Sequence, residues 1–211
     1  MAYWDTARPE LALADFDKAL ALQPDYVEAL MARGSLRLRH DNEAGARADF
    51  EVVQRMAPHN PGLLREMANA FVYAGNIDEG IARLDAWVEK HPKDMGLPMV
   101  LNDRCWLRAT SNRELNLALA DCDAALKKGA RNSAVYDSRG FVHLRLGNYD
   151  KAIDDYKTAV KLQPRQATSL YGLGLARLKQ GLTDLGNRDI ATAIAINPNA
   201  SDVYAKAGLT P

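Results

Sequence analysis

The sequence has few of the residues that mark catalytic, membrane or nucleic-acid-binding proteins. Its 211 residues include only 2 cysteines and 4 histidines, and the formal net charge is +0. A neutral chain lacks the basic field that attracts nucleic acid. No apolar run approaches the roughly 18 residues that a membrane span needs. The opening residues MAYWDTARPE lack the basic and apolar segments of a signal peptide. We therefore expect no nucleic-acid partner and no membrane insertion.

Catalytic motifs are also missing. The histidines, which are His40, His59, His91 and His143, are scattered and lack a ligand spacing such as HExxH. The glycines of residues 172–181 follow no strand, which argues against a phosphate-binding loop. We interpret His143 as a buried neutral side chain on a packing face. Asp154 and Asp155 stand beside basic residues, so we interpret them as part of a solvated helix face. The sequence thus predicts no catalytic residues, no metal ligands and no cofactor.

The sequence does contain a regular repeat. The punctuating prolines Pro24, Pro58 and Pro92 are spaced by 34, as are Pro164 and Pro198. Two sets of mostly small residues keep the same register: Gly34, Ala68, Asn102, Gly140, Gly174 and Gly208 in one, and Ala12, Ala46, Gly80, Ala118, Ala152 and Gly186 in the other. The step from Asn102 to Ala118 is four residues longer than in the other copies. We therefore expect a four-residue insertion in or beside the TSNREL turn.

Residues 133–166 show the repeat most clearly. They read as two helices separated by Gly147-Asn148, with small residues at Gly140 and Ala152 that let the helices approach closely. This pattern resembles the tetratricopeptide repeat. The resemblance implies an all-α fold, a right-handed superhelical solenoid of antiparallel helix pairs.

The repeat register gives the expected boundaries. Residues 1–26 form a truncated first repeat, mainly its second helix, and residues 201–211 form a C-terminal capping helix and tail. Five full units lie between them, at residues 27–60, 61–94, 95–132, 133–166 and 167–200. We expect one continuous solenoid domain, because stacked repeats share a core. Since a natural gene product seldom begins halfway through a repeat, we also expect a piece of a longer protein, either cytoplasmic or exported.

The resemblance also implies a binding surface. In this family the first helices of the units line a concave groove that binds an extended peptide or partner segment. Residues spaced at i, i+4 and i+8 lie on that face. They include Arg39, Arg65, Asn69, Tyr73, Asp103, Asp137, Phe141, Arg145 and Tyr171. Arg65 and Asn69 resemble half of the family's carboxylate clamp, whereas Val100, Ala134 and Ser138 depart from it.

Cys105 and Cys122 are expected to face the same core, on the two helices of the expanded unit. One interpretation is a pair of small buried apolar side chains. The alternative is a disulfide within the repeat, which would imply an oxidising compartment. Both interpretations stay open at the level of the sequence.

Three functional hypotheses follow. The first is a non-enzymatic interaction scaffold that binds a protein or peptide in its groove. The second is a structural block that self-associates through its open ends, because Leu13 and Phe16 lie on a helix without a preceding partner helix. The third is an accessory repeat region of a larger, exported enzyme.

Overall fold

The computed structural model describes residues 8–211. Its helices are α1 (Pro9–Leu22), α2 (Val27–Arg39), α3 (Glu43–Met56), α4 (Pro61–Tyr73), α5 (Ile77–Lys90), α6 (Leu97–Thr110), α7 (Leu115–Lys127), α8 (Ser133–Arg145), α9 (Tyr149–Leu162), α10 (Ala167–Lys179), α11 (Thr183–Ile196) and α12 (Asp202–Lys206). This described range contains no β-strand. None of its helices combines the length and apolar character that crossing a bilayer requires.

The helices form two compact units. Unit 1 spans Met1–Gly96 and, in its described part, holds α1 to α5. Unit 2 spans Leu97–Pro211 and holds α6 to α12. Within each unit, consecutive helices pair and the pairs stack. The expectation of one continuous solenoid concerns the arrangement of the two units, and it stays a prediction.

Local signals in the sequence place the helix ends. The Asn60 side chain accepts a hydrogen bond from the Leu63 N–H, and Pro61 occupies the first turn of α4. Asparagine is a favoured N-cap because its oxygen satisfies an unpaired amide, and proline at this point loses nothing by lacking one. Gly75, Gly147 and Gly181 follow first helices with φ angles of 85°, 74° and 85°. This left-handed conformation suits glycine.

Gly140 and Gly174, two of the small positions of the repeat, lie where helices touch, whereas Gly208 lies beyond the end of α12 with open space around its Cβ position. A Cβ atom at Gly140 would sit 3.1 Å from the Tyr156 ring, and one at Gly174 would sit 2.8 Å from the carbonyl oxygen of Gly186. Both glycines therefore permit close approach of the two helices of a pair.

The unit at 95–132 departs from the others at both ends of its first helix. Helix α6 begins at Leu97, two residues into the unit, and Pro98 lies in its first turn. It ends at Thr110, three residues later in its unit than α2, α4, α8 and α10 end in theirs. Three of the four inserted residues therefore extend the C-terminal end of α6, and the fourth lengthens the following turn.

An aspartate–arginine ion pair recurs along the repeats, with its carboxylate buried at Asp49, Asp121 and Asp155 and half-buried at Asp189. Its acidic members are Asp49, Asp121, Asp155 and Asp189, and their partners are Arg33 and Arg37, Arg104 and Arg108, Arg139, and Arg177 respectively. The interpretation of Asp155 as solvated is therefore wrong. Its side chain is buried because the Arg139 guanidinium holds both carboxylate oxygens, at 2.7 and 2.8 Å. Asp154, the preceding residue, is exposed as expected.

Candidate functional site

The first helices of unit 1 form an open depression of about 310 Å³. We call it the unit 1 groove. It is lined by Met31, Ser35 and Arg39 of α2 and by Glu66, Asn69, Ala70 and Tyr73 of α4. Of the predicted groove residues in this unit, the structure thus brings together Arg39, Asn69 and Tyr73. Arg65 is exposed on α4 but does not line the depression, and Glu66 takes that place.

The corresponding face of unit 2 is covered by the chain itself. We call Asp137, Phe141 and Arg145 of α8 and Tyr171 of α10 the unit 2 face. Tyr204 of α12 lies against it, with its ring centroid 5.2 Å from those of both Phe141 and Tyr171. Phe141, Tyr171 and Tyr204 are all buried as a result. The short helix predicted to cap the last unit therefore also covers first-helix residues of the unit before it.

The Tyr204 hydroxyl reaches the interior between α8 and α10. It donates a hydrogen bond to the carbonyl oxygen of Thr168 at 2.9 Å and lies 3.3 Å from the Tyr156 hydroxyl. A phenol has a single proton, so Tyr156 is the donor in the second contact. Burial raises the pKa of both tyrosines well above the ordinary value. Both therefore remain neutral hydrogen-bonding groups.

Arg145 holds the main chain of the same segment. Its Nη2 atom donates to the carbonyl oxygen of Ala207 at 2.6 Å, and its guanidinium carbon lies 5.7 Å from the centre of the Phe141 ring. One arginine thus contacts both the covering segment and the face that it covers. This combination of a side-chain anchor and a main-chain hydrogen bond is typical of peptide recognition.

Asp137 is buried beneath this covering segment. Its Oδ1 atom accepts a hydrogen bond from the Ser169 hydroxyl. Burial raises the pKa of Asp137 to about 6, with the serine hydrogen bond acting in the opposite direction. Asp103, which was predicted for the same surface, is half-buried on α6.

Cys105 and Cys122 lie at the centre of the α6–α7 pair. Both are fully buried, their Cα atoms are 5.6 Å apart, and their sulfur atoms are at bonding distance, 2.04 Å. The four-residue insertion left the relative height of the two residues open in the sequence. In the structure the extended α6 keeps Cys105 level with Cys122.

Two histidines that the sequence leaves scattered lie together in unit 1. His59 Nδ1 is 2.6 Å from Asp94 Oδ2, and the His59 and His91 ring centroids are 5.0 Å apart. Motif spacings within one helix do not detect this cluster. The signal that could have found it is the repeat period, because His91 and Asp94 both follow His59 at close to one repeat length. Positions about one repeat apart lie side by side in stacked pairs.

Two family profiles match the chain. The profile described as "Tetratricopeptide repeat" matches residues 1–61, and the one described as "TPR repeat" matches residues 140–181. The peroxisomal targeting signal receptor of Komagataella phaffii is 24% identical over 174 residues, which cover 76% of this chain and 29% of that protein. The chain thus spans less than a third of the length of this relative.

Solved structures show the same fold. Yeast Tom70 superposes with a TM-score of 0.64 at 22% identity, covering 90% of this chain and 39% of that one. YrrB, described as "a TPR protein with an unusual peptide-binding site", superposes with a TM-score of 0.57 at 14% identity, covering 92% and 98%. At these sequence identities the similarity shows that the fold is shared, and nothing more specific. Both profiles describe one repeat and the helices pair as that repeat requires, so the matched residues 1–61 and 140–181 are tetratricopeptide repeats.

Proposed function

We propose that this chain is a protein–protein interaction scaffold that binds extended segments of partner proteins on the faces formed by its first helices. Its relatives include a targeting signal receptor and a mitochondrial import receptor subunit, and a neighbour in fold is described as having a peptide-binding site. A scaffold role requires no catalytic group. The recurring buried carboxylates of residues 8–211 are in keeping with this, since arginines hold them in ion pairs.

The observation that carries the proposal is the covering of the unit 2 face by α12. A short segment of chain binds there through one buried aromatic side chain, Tyr204, and one main-chain carbonyl, that of Ala207. Aromatic and arginine side chains are the usual energetic anchors of protein interfaces. The unit 2 face therefore has the chemistry to hold a peptide, and α12 is its built-in occupant.

The contacts of Tyr204 indicate which partner segment suits this face. The hydroxyl donates to the Thr168 carbonyl, so a tyrosine fits better than a residue without a donor. Burial and, less strongly, the nearby Asp137 carboxyl raise the pKa of Tyr204, and a phosphate in the same place would be repelled by that carboxyl. We infer a partner that presents an unmodified tyrosine and displaces α12.

A peptide of residues 199–211 supplied in trans tests this idea. We expect it to bind the Tyr204→Ala variant about tenfold or more tightly than wild type, because the intramolecular segment competes in the wild-type chain. Peptides carrying phosphotyrosine or alanine at position 204 serve as controls and should bind neither protein. Circular dichroism of the Tyr204→Ala variant checks that it is folded before the peptide is added. No binding to a folded Tyr204→Ala variant would rule out the unit 2 face as a peptide site.

The unit 1 groove is tested separately by selecting binders from a random peptide display library. Peptides that recognise this groove should lose binding to an Asn69→Ala/Tyr73→Ala variant, since both side chains line the depression. A matched variant, Glu89→Ala/Lys90→Ala, changes exposed residues of α5 in the same unit and should retain binding. If the α5 variant alone loses the peptides, the groove assignment is incorrect.

Self-association is a second candidate function. Exposed apolar side chains are present on the first described helix, where Leu11 and Leu22 are 57% and 89% exposed, and on α11, where Leu185 and Ile194 are each 43% exposed. Apolar surface of this kind is typical of contact surfaces. We infer that copies of the chain associate through these helices.

A further inference from the structure

Three side chains from successive turns of unit 1 converge at the surface. His59 lies in the turn between α3 and α4, and His91 and Asp94 lie after the end of α5. One potential ligand atom from each lies within 4.8 Å of the other two. We call these residues the His59–His91–Asp94 cluster.

Contacts with neighbouring groups hold this cluster in place. The indole N–H of Trp87 donates to the carbonyl oxygen of Pro58 at 2.9 Å, which fixes the turn beside His59. The Trp87 ring also lies 4.8 Å from the His91 ring. The Gly96 N–H donates to Asp94 Oδ1 at 2.7 Å, which leaves Oδ2 directed at His59. Supporting groups of this kind orient the side chains around a metal ion.

The ligand chemistry is that of a borderline divalent transition metal. Two imidazole nitrogens and one carboxylate oxygen are common zinc ligands, and three protein ligands leave a coordination position for water. Solvent has access, because the His59 side chain is 68% exposed while that of Asp94 is only 13% exposed. Hard ions such as Mg²⁺ and Ca²⁺ prefer sites built entirely of oxygen ligands.

We propose that the His59–His91–Asp94 cluster is a binding site for Zn²⁺. Zinc bonds of about 2.0–2.1 Å place tetrahedral ligand atoms about 3.4 Å apart. The ion therefore takes the position of the proton between His59 and Asp94, separates these two slightly and draws His91 closer. The exposed His59 ring has room for this adjustment.

The consequence of binding is structural. The ion connects the turn that follows one helix pair to the turn that follows the next, in addition to the packing of the helices. Such a site forms only in the folded chain, so zinc stabilises unit 1 by an amount that rises with the free zinc concentration relative to the dissociation constant. This inference is independent of peptide binding, since none of the three residues lines the unit 1 groove.

Calorimetric titration of the tag-free, chelator-treated chain with ZnCl₂ tests the proposal. We expect binding of one zinc ion per chain and a rise in the melting temperature. His59→Ala, His91→Ala and Asp94→Asn should each weaken zinc binding by about tenfold or more. Asp94→Asn retains an oxygen that can accept the Gly96 hydrogen bond, so it separates ligand loss from loss of the turn. His40→Ala, which changes an exposed histidine elsewhere in unit 1, is the matched control and should bind zinc like wild type.

Three outcomes would overturn the proposal. The first is the absence of zinc binding to the wild-type chain. The second is unchanged zinc affinity in the folded His59→Ala and His91→Ala variants. The third is equal binding of Mg²⁺ or Ca²⁺, because such binding would reflect general attraction to carboxylates and not an imidazole site. Melting curves of each variant in excess chelator show whether it is folded before zinc is added.

Discussion

At the scale of single residues, Asp137 is a buried carboxyl whose ionisation opposes folding. The side chain is buried beneath α12, and its pKa is raised from 3.8 to about 6. Above pH 6 the folded chain must therefore hold a buried charge that the unfolded chain exposes to water. As the pH falls through 6, the folded state binds a proton before the unfolded state does, so this carboxyl favours folding more at pH 5 than at pH 7.

Asp137→Asn should remove the free-energy cost of this buried charge. The shift of roughly two pKa units corresponds to ~3 kcal/mol, so we expect the variant to exceed wild type in free energy of unfolding by up to that amount at pH 7. The difference should shrink as the pH is lowered toward 4, where the wild-type carboxyl is neutral in the folded state and about half neutral in the unfolded state. Urea denaturation at several pH values measures it, with exposed Asp154→Asn as the control. A difference that does not change with pH would contradict the assignment.

Gly140 tests the packing at a second residue. Its missing side chain leaves room for the Tyr156 ring, which would lie 3.1 Å from a Cβ atom. Gly140→Leu should overpack the contact and lower the free energy of unfolding by ~1–3 kcal/mol or more. Ala134→Leu, at an exposed position of the same helix, should change it little. Thermal melts compare the two variants, and an unchanged midpoint for Gly140→Leu would mean that α8 and α9 do not pack in this register.

The glycines at helix contacts could be predicted from the sequence, but the buried carboxylates could not. A glycine that recurs inside the first helices of successive repeats, as Gly140 and Gly174 do, indicates close helix approach. An aspartate on a helix has two interpretations, because either solvent or a buried arginine can form hydrogen bonds with its carboxylate. Only the common register of Asp121, Asp155 and Asp189 distinguishes them.

At the scale of elements, α12 differs most from its sequence expectation. Gly208 keeps the repeat register, which predicts that the last helix packs on the last pair as its predecessors do. Instead Tyr204 also contacts Phe141, which lies almost two repeats earlier in the chain. The repeat period predicts contacts between adjacent repeats. It does not predict that a short helix such as α12 also contacts a repeat further back in the chain.

A disulfide bond between α6 and α7 would stabilise this helix pair. A bond between Cys105 and Cys122 closes a loop of 17 residues, which stabilises the folded state by about 3 kcal/mol on the chain-entropy estimate. Chain produced under oxidising conditions should therefore show no free thiol when denatured, and reductant should lower its free energy of unfolding. A Cys105→Ala/Cys122→Ala variant should not respond to reductant. Two reactive thiols in the oxidised chain would contradict the prediction and remove this argument for an exported parent protein.

At the scale of the whole molecule, the repeat made the fold class predictable and left its surfaces open. The period follows from packing that every copy shares. Binding surfaces depend on what differs between copies: Asn69 lines an open groove in unit 1, whereas Phe141, at the same position of its own repeat, is covered in unit 2. Equivalent positions in a repeat protein can therefore have different accessibility, which no periodic pattern reports.

The proposed self-association can be tested at exposed apolar residues of α1. Leu13 and Phe16, which the sequence placed on an open stripe, are half-buried in α1, so changing them would also disturb its packing. Leu11 and Leu22 are better probes because both are exposed. We expect the sedimentation coefficient of the chain to rise with concentration, since contact between α1 of one copy and α11 of another adds copies in series.

Leu11→Glu/Leu22→Glu should weaken that rise, because association would bury two charges that have no partner. Met95→Glu is the matched control: Met95 is 98% exposed but lies outside both α1 and α11. It should leave association unchanged. Leu185→Glu/Ile194→Glu should weaken association as much as the α1 variant if the two helices form the two sides of one contact. A chain that sediments as a monomer at high concentration, or one whose association only Met95→Glu reduces, would exclude assembly through these helices.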